Sequence, residues 1–237
     1  MTKRAFATYQ GVNKRRVPIK FKEDVVVQTL GLIGRKGSGK TYAMMSLVEV
    51  MLEMKARVIA FDPVGNIHGV RFDGRGKPLH EIAVLGGDNG DVELDPSSGK
   101  EIARILDETQ WSAVLDMSFM SQNEKRKFVT AFSEEFLHLQ KRSRMPVHVM
   151  LEEAQLFSPQ RVMSGNERMV SAIEQIVRLG RNYGIGVTMA SQRPQSVNKE
   201  TLNQVEALFV LQLVGPHERK AVEQWISHQD LEGDELD

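Results

Sequence analysis

Apolar residues fall along this chain in two patterns: short continuous runs, and longer stretches where they recur every three to four positions. Continuous runs rich in Val, Ile and Leu predict strands buried on both faces, and the wider spacing predicts helices with one buried stripe. The runs predict strands at 25–33, 57–61, 112–116, 147–151, 185–190 and 207–213; the spaced stretches predict helices at 40–55, 100–108, 123–142, 166–180 and 216–227. Asn123 and Asn166 stand where helix N-caps are expected. Strand and helix alternate, which is the pattern of a parallel sheet covered by helices. From 62 to 99 the chain is rich in Gly, Asp and Pro, and predicts a long loop with one short strand at 82–85. No internal repeat or low-complexity linker marks a second domain.

The first strand–helix junction carries the most specific chemistry. Residues 34–41 read GRKGSGKT, which fits G-x-x-x-x-G-K-[ST] at every fixed position and follows the apolar stretch VVVQTLGLI. Glycines in such a loop let backbone N–H groups converge on phosphate oxygens, and a helix beginning near Lys40 points its positive end at them. Gly34, Gly37, Ser38, Gly39, Lys40, Thr41 and Tyr42 are therefore the candidate nucleotide-binding residues, with Lys40 reaching the β- and γ-phosphates and the Thr41 hydroxyl on Mg²⁺. A second junction, VHVMLEEA at 147–154, ends an apolar strand in two adjacent carboxylates. Parallel sheets bind ligands at the carboxyl ends of their strands, so Glu152 is expected to hold Mg²⁺, directly or through water, and Glu153 to polarise the attacking water. Adjacent acids after a strand also begin many solvated loops; the phosphate loop upstream is what favours chemistry here.

Composition narrows the class. The chain has 237 residues, 41% of them hydrophobic, enough for one sizeable core. It has no cysteine, so disulfides and Cys-ligated metals contribute nothing, and its six histidines lack metal-ligand spacing. MTKRAFATYQ lacks the apolar core of a signal peptide and no run approaches bilayer length, so a cytoplasmic location without membrane insertion is expected. Net charge is zero but unevenly placed: residues 1–24 form a basic arm with Lys3, Arg4, Lys14, Arg15, Arg16, Lys20 and Lys22, and 228–237 an acidic tail.

A third element, RLGRNYGIGVTMASQRP from Arg178 to Pro194, joins a basic helix end, a Tyr-Gly turn and a strand of small and apolar residues to Ser-Gln-Arg-Pro. With GRKGSGKT and VHVMLEEA before it in order, the chain from about 25 to 227 resembles the HerA/FtsK family of ring-forming DNA pumps. FDPVGN after the second strand favours the HerA branch, and ETLNQVEALFVLQLVGPHERKAVEQWI resembles the family's following helix, edge strand and helix. Glu152 stands where the family usually has Asp.

The resemblance implies an α/β RecA-like P-loop NTPase domain of the ASCE type at 25–227, with a mainly parallel central sheet, using ATP and Mg²⁺. It implies hydrolysis coupled to DNA movement by a homo-oligomeric ring, expected to be a hexamer, with docking specificity drawn from a partner protein. By resemblance Gln192 senses the γ-phosphate and Arg181 completes a neighbouring subunit's site; with Lys40 and Glu153 they make the catalytic set. Arg178 and Arg193 are weaker candidates for the arginine. DNA contacts are expected from the loops at 117–127 and 157–168, through Lys125, Arg126, Lys127, Arg161 and Arg168. Two other classes fit the same motifs: an ATPase that moves or remodels protein, and an ATP-dependent assembly switch with little turnover.

Overall fold

A computed structural model describes residues 7–10, 16–19, 21–73, 75–213, 215, 216, 219, 220, 222 and 223. The acidic tail and most of the helix expected at 216–227 lie outside the described residues. Within the basic arm, β1 (Ala7–Gln10) and β2 (Arg16–Ile19) pair antiparallel as a two-stranded sheet of their own, an arrangement the alternation of charge and polarity there did not suggest.

The main sheet contains β3 (Thr29–Ile33), β4 (Arg57–Asp62), β5 (Ala83–Leu85), β6 (Ala113–Asp116), β7 (Val147–Leu151), β8 (Ile185–Ser191) and β9 (Ala207–Val210). Their order is β5-β6-β4-β7-β8-β3-β9, and every neighbouring pair is parallel. Strands β3, β4, β6, β7 and β8 are buried along their whole lengths, which is why they read as apolar runs and not as alternating ones. β8 lies between β3 and β7, hydrogen-bonded to both. This insertion of one strand between the phosphate-loop strand and the acidic strand is the ASCE arrangement.

Helices cover both faces. α1 (Lys40–Glu53) packs on one face through Met44, Leu47, Val48 and Met51 against Leu30, Leu32, Val58 and Ala60. α2 (Gly99–Thr109), α3 (Gln122–Ser143) and α4 (Glu167–Leu179) build the other core, with the short α5 (Lys199–Leu202) leading into β9. On α3, Phe128, Phe132 and Phe136 fall at i, i+4 spacing and stack in succession, and Phe132 meets Phe61 of β4 edge-on at 5.3 Å.

Four expectations are corrected. The run at 25–33 is not one strand: Glu23–Val27 is a 3₁₀ turn, because Val25 and Val26 tuck under the sheet and the Val26 carbonyl is met by His148 of β7. The cap of α3 is Ser121, not Asn123; Ser121 and Glu124 form a reciprocal capping box, and Asn123 accepts from Arg126 instead. Asn166 does stand at the N-cap of α4, but its side chain makes no capping bond and takes a hydrogen bond from Arg126. The long loop is partly ordered by a 3₁₀ turn at His68–Arg71 and by Asp91, whose carboxylate takes the Val84 N–H and two bonds from Arg71.

Candidate active site

Because all seven strands are parallel, their carboxyl ends share one edge, and the chemistry gathers there. β3 leads into the glycine loop, β4 ends at Asp62, β7 delivers Glu152 and Glu153, and β8 delivers Ser191 and Gln192. A cleft of about 740 Å³ opens between them, lined by the loop residues Arg35, Lys36, Gly37, Gly39, Lys40, Thr41 and Tyr42 and by Val64, Asn66, Glu152, Glu153, Gln192 and Arg193.

The glycines of the loop have different tasks. Gly37 and Gly39 adopt left-handed backbone (φ 78° and 87°), and a Cβ on either would point into open space. Gly34 is instead required by crowding, since a Cβ there would collide with the Ser38 hydroxyl and lie 2.8 Å from Leu211 Cβ. Ser38 Oγ is buried without a partner, and Tyr42 is largely exposed at the rim of the cleft.

Two acidic positions organise the centre. Glu152 is 2% exposed, and its Oε1 accepts from the Thr41 hydroxyl at 3.2 Å while its Oε2 is buried with no partner. Burial, then the negative charge of Asp62, push Glu152 up to about 7, against the opposing pull of Lys40 and Thr41. Asp62 is itself fully buried and receives the N–H groups of Val64, Gly65 and Ile67 at 3.0, 2.7 and 2.7 Å. An orphaned carboxylate oxygen, a hydroxyl and a second buried carboxylate make an oxygen-only donor set of net negative charge, which fits a hard divalent cation such as Mg²⁺.

Glu153 stands beside this set in a left-handed backbone conformation (φ 53°, ψ 53°), uncommon for a residue with a side chain. Its Oε1 lies 3.6 Å from Lys40 Nζ and also accepts from Gln192 Nε2. Its Oε2 accepts from Gln155 Nε2 at 2.6 Å. Lys40, Glu153 and Gln192, taken from three separate stretches of sequence, thus converge on one point.

Arg181 does not join them. It lies in the turn Gly180–Tyr183 before β8, at the opposite edge of the sheet, is mostly exposed, and pairs with Glu206 at 2.8 Å. The seven residues of β8 separate it from its own Gln192 by roughly 20 Å at about 3.3 Å per residue. Of the candidate nucleic-acid contacts, Lys125 donates to the Pro63 carbonyl, Arg126 is held by Asn123 and Asn166, and Arg168 makes a two-bond pair with Glu134. Lys127 and Arg161 are exposed. Sequence reasoning did not single out Asp62, Gln155 or Ser191 as site residues. Asp62 carried a usable signal, an acid ending an apolar run; Gln155 and Ser191 carried none, because only the pairing of β7 with β8 brings the two together.

Comparison with known proteins adds sequence to this geometry. No family model matches the chain. It is 35% identical over 78 residues to the probable helicase MJ1565 of Methanocaldococcus jannaschii, and 35% identical over 77 residues to the DNA double-strand break repair helicase HerA of Pyrococcus furiosus. These stretches are about a third of this chain, and only 15% and 13% of the two relatives' lengths. Over that third, the chain is similar in sequence to these helicases. Among solved structures, the genome packaging NTPase B204 of Sulfolobus turreted icosahedral virus 2, bound to ATP-gammaS, superposes with a TM-score of 0.54 at 18% identity, covering 86% of this chain and 84% of that one. The cytoplasmic domain of EssC superposes with a TM-score of 0.54 at 16% identity, covering 92% of this chain and 38% of its own. The chain therefore shares the fold of these NTPases over most of its length. Among the described residues, no helix is long and apolar enough to cross a membrane.

Proposed function

We propose that this protein is an ATP-hydrolysing motor that moves DNA, working as a homo-oligomeric ring. The observation that carries the reading is the convergence of Lys40, Glu153 and Gln192 in the glycine-loop cleft, with Thr41 bonded to Glu152 beside them. In this reading the loop N–H groups and Lys40 bind the β- and γ-phosphates, and Thr41, Glu152 and Asp62 would hold Mg²⁺, which would supply positive charge against the phosphates. Glu153 orients a water and takes its proton as the water oxygen bonds to the γ-phosphorus and the bond to the leaving ADP oxygen breaks. Gln192 reports the γ-phosphate to β8.

The DNA assignment rests on the HerA-like sequence together with the two loops that leave the same sheet edge, after β6 and β7. In this reading Arg181, which is exposed and far from its own cleft, would exchange Glu206 for a neighbour's γ-phosphate; head-to-tail contacts that close into a ring would give every cleft one such arginine. A docking protein would then select the DNA. A second reading, a polypeptide-moving ATPase, is favoured by one observation: Phe119 and Met163 are each 72% exposed in those loops, where Lys125, Arg126 and Arg168 are held by partners.

The test separates binding from hydrolysis. Lys40→Ala is expected to abolish nucleotide binding, and Glu153→Gln to bind ATP but release no phosphate. Parental hydrolysis by Glu153→Gln would remove Glu153 from the reaction.

A further inference from the structure

The carboxylate proposed to activate water is engaged at both of its oxygens. Glu153 Oε1 faces Lys40 at 3.6 Å and accepts from Gln192; Oε2 accepts from Gln155 at 2.6 Å. These donors differ in kind. Lys40 and Gln192 both line the cleft, and both have a competing acceptor in a γ-phosphate. Gln155 is not among the residues lining that cleft. Its carboxamide oxygen accepts from the Ser191 hydroxyl at 2.6 Å, and Ser191 Oγ in turn accepts the N–H of Arg193 at 3.0 Å. The chain runs in one direction, from the Arg193 N–H through the Ser191 hydroxyl and the Gln155 amide to Glu153, and turning the amide over would set its oxygen against the Glu153 carboxylate. Ser191 is 3% exposed and belongs to the rigid end of β8, so the anchor is fixed to the sheet.

Building on the hydrolytic reading above, we propose that Gln155 is a positioning residue. It holds Glu153 by Oε2 while the phosphate draws Lys40 and Gln192 from Oε1, leaving that oxygen aimed at the attacking water. The left-handed backbone at Glu153 makes such an anchor necessary. Nothing in a regular strand or helix fixes its side-chain direction, and two neighbouring donors compete for the same carboxylate. The Gln155–Ser191 pair also ties the carboxylate to the end of β8, the residue just before Gln192.

The chemistry demands a side chain that donates at one end and accepts at the other over the length of a glutamine. Gln155→Glu keeps the size and removes the donor; Gln155→Met keeps the size and removes both. Ser191→Ala removes the hydroxyl, and Ser191→Thr retains it. Misplacing a reacting group by about 1 Å costs on the order of 10² in rate. Gln155→Glu and Gln155→Met are accordingly expected to lower kcat by about 10- to 100-fold with KM for ATP and nucleotide affinity changed less than about 3-fold. Ser191→Ala is expected to lower kcat in the same direction, Ser191→Thr to recover it, and Gln155→Met/Ser191→Ala to be no worse than Gln155→Met alone, since both changes break one chain.

Steady-state ATPase assays and fluorescent-nucleotide titrations on the full chain, with thermal melts on each variant, decide the matter. Parent-like kcat in a folded Gln155→Met protein overturns the proposal, as does a loss that appears in KM and affinity instead of kcat. Additive effects of the two sites overturn the coupling through Ser191. If the parent itself binds ATP and never hydrolyses it, the hydrolytic reading falls and the Gln155 assignment falls with it. Parental turnover with indifferent Gln155 variants refutes the positioning role alone.

Discussion

Replacing Glu152 by Gln should stabilise the nucleotide-free protein at alkaline pH while disabling it. Glu152 is 2% exposed, one of its oxygens has no partner, and it faces Asp62, so its ionised form is disfavoured and its pKa rises from 4.5 to about 7. At about 1.4 kcal/mol per unit, that rise corresponds to about 3 kcal/mol of difference between the protonated and ionised states. The folded state holds this proton more tightly than the unfolded state. Its contribution is therefore complete below the unfolded value near 4.5 and is lost as pH climbs through about 7. An amide at this position carries no such proton. The Glu152→Gln variant should match the parent near pH 4.5 and exceed it by about 3 kcal/mol at pH 8, or roughly 6 to 12 °C in Tm for a chain of this size. Thermal melts of both proteins from pH 4.5 to 8, with chelator and no nucleotide, measure this directly. Adding Mg²⁺ at pH 8 should raise the parent and leave the variant unmoved, because a cation can replace the missing proton. A stability gap that does not change with pH, or a variant less stable than the parent at pH 8, would refute the electrostatic reasoning.

Other consequences are equally concrete. His148 is buried, its neutral ring donating from Nδ1 to the Val26 carbonyl and accepting at Nε2 from the Thr188 hydroxyl, and burial lowers its pKa from 6.5 to about 4; this contribution is present above 6.5 and lost as pH falls through 4, so His148→Gln should flatten the acid limb of the stability profile measured by circular dichroism. Arg181→Ala should cut hydrolysis by about 10³ to 10⁵ and spare ATP affinity, and mixing it with Lys40→Ala protein should recover some activity; hetero-oligomers that stay silent would count against a shared site. DNA should raise the ATPase rate in a strongly salt-dependent way, and Arg161→Ala should weaken this more than Arg168→Ala, whose guanidinium is held by Glu134. A rate indifferent to every nucleic acid, with partner present, would turn the assignment toward polypeptide.

The glycine pattern of a phosphate-binding loop and the apolar runs of buried parallel strands are written in consecutive residues, which is why GRKGSGKT, VHVMLEEA and the run at 185–190 could be read directly as loop, acidic strand end and buried strand. The strand at 147–151 needed no revision and the helix at 40–55 ends only two residues early, because continuous burial and three-to-four spacing are properties of short stretches. What the chain alone could not disclose depends on strand order. Only the insertion of β8 between β3 and β7 brings Gln192 onto Glu153, and only the placement of β4 beyond β7 sets Asp62 against Glu152. The split of 25–33 into a turn and a strand was decided by His148, 122 residues away from Val26, whose buried ring nitrogen needed the Val26 carbonyl as acceptor. The fates of Lys125 and Arg168 were likewise settled by distant partners, Pro63 and Glu134. Charge and burial act through space, so residues far apart in the chain decide which carboxylate keeps its proton and which arginine remains available.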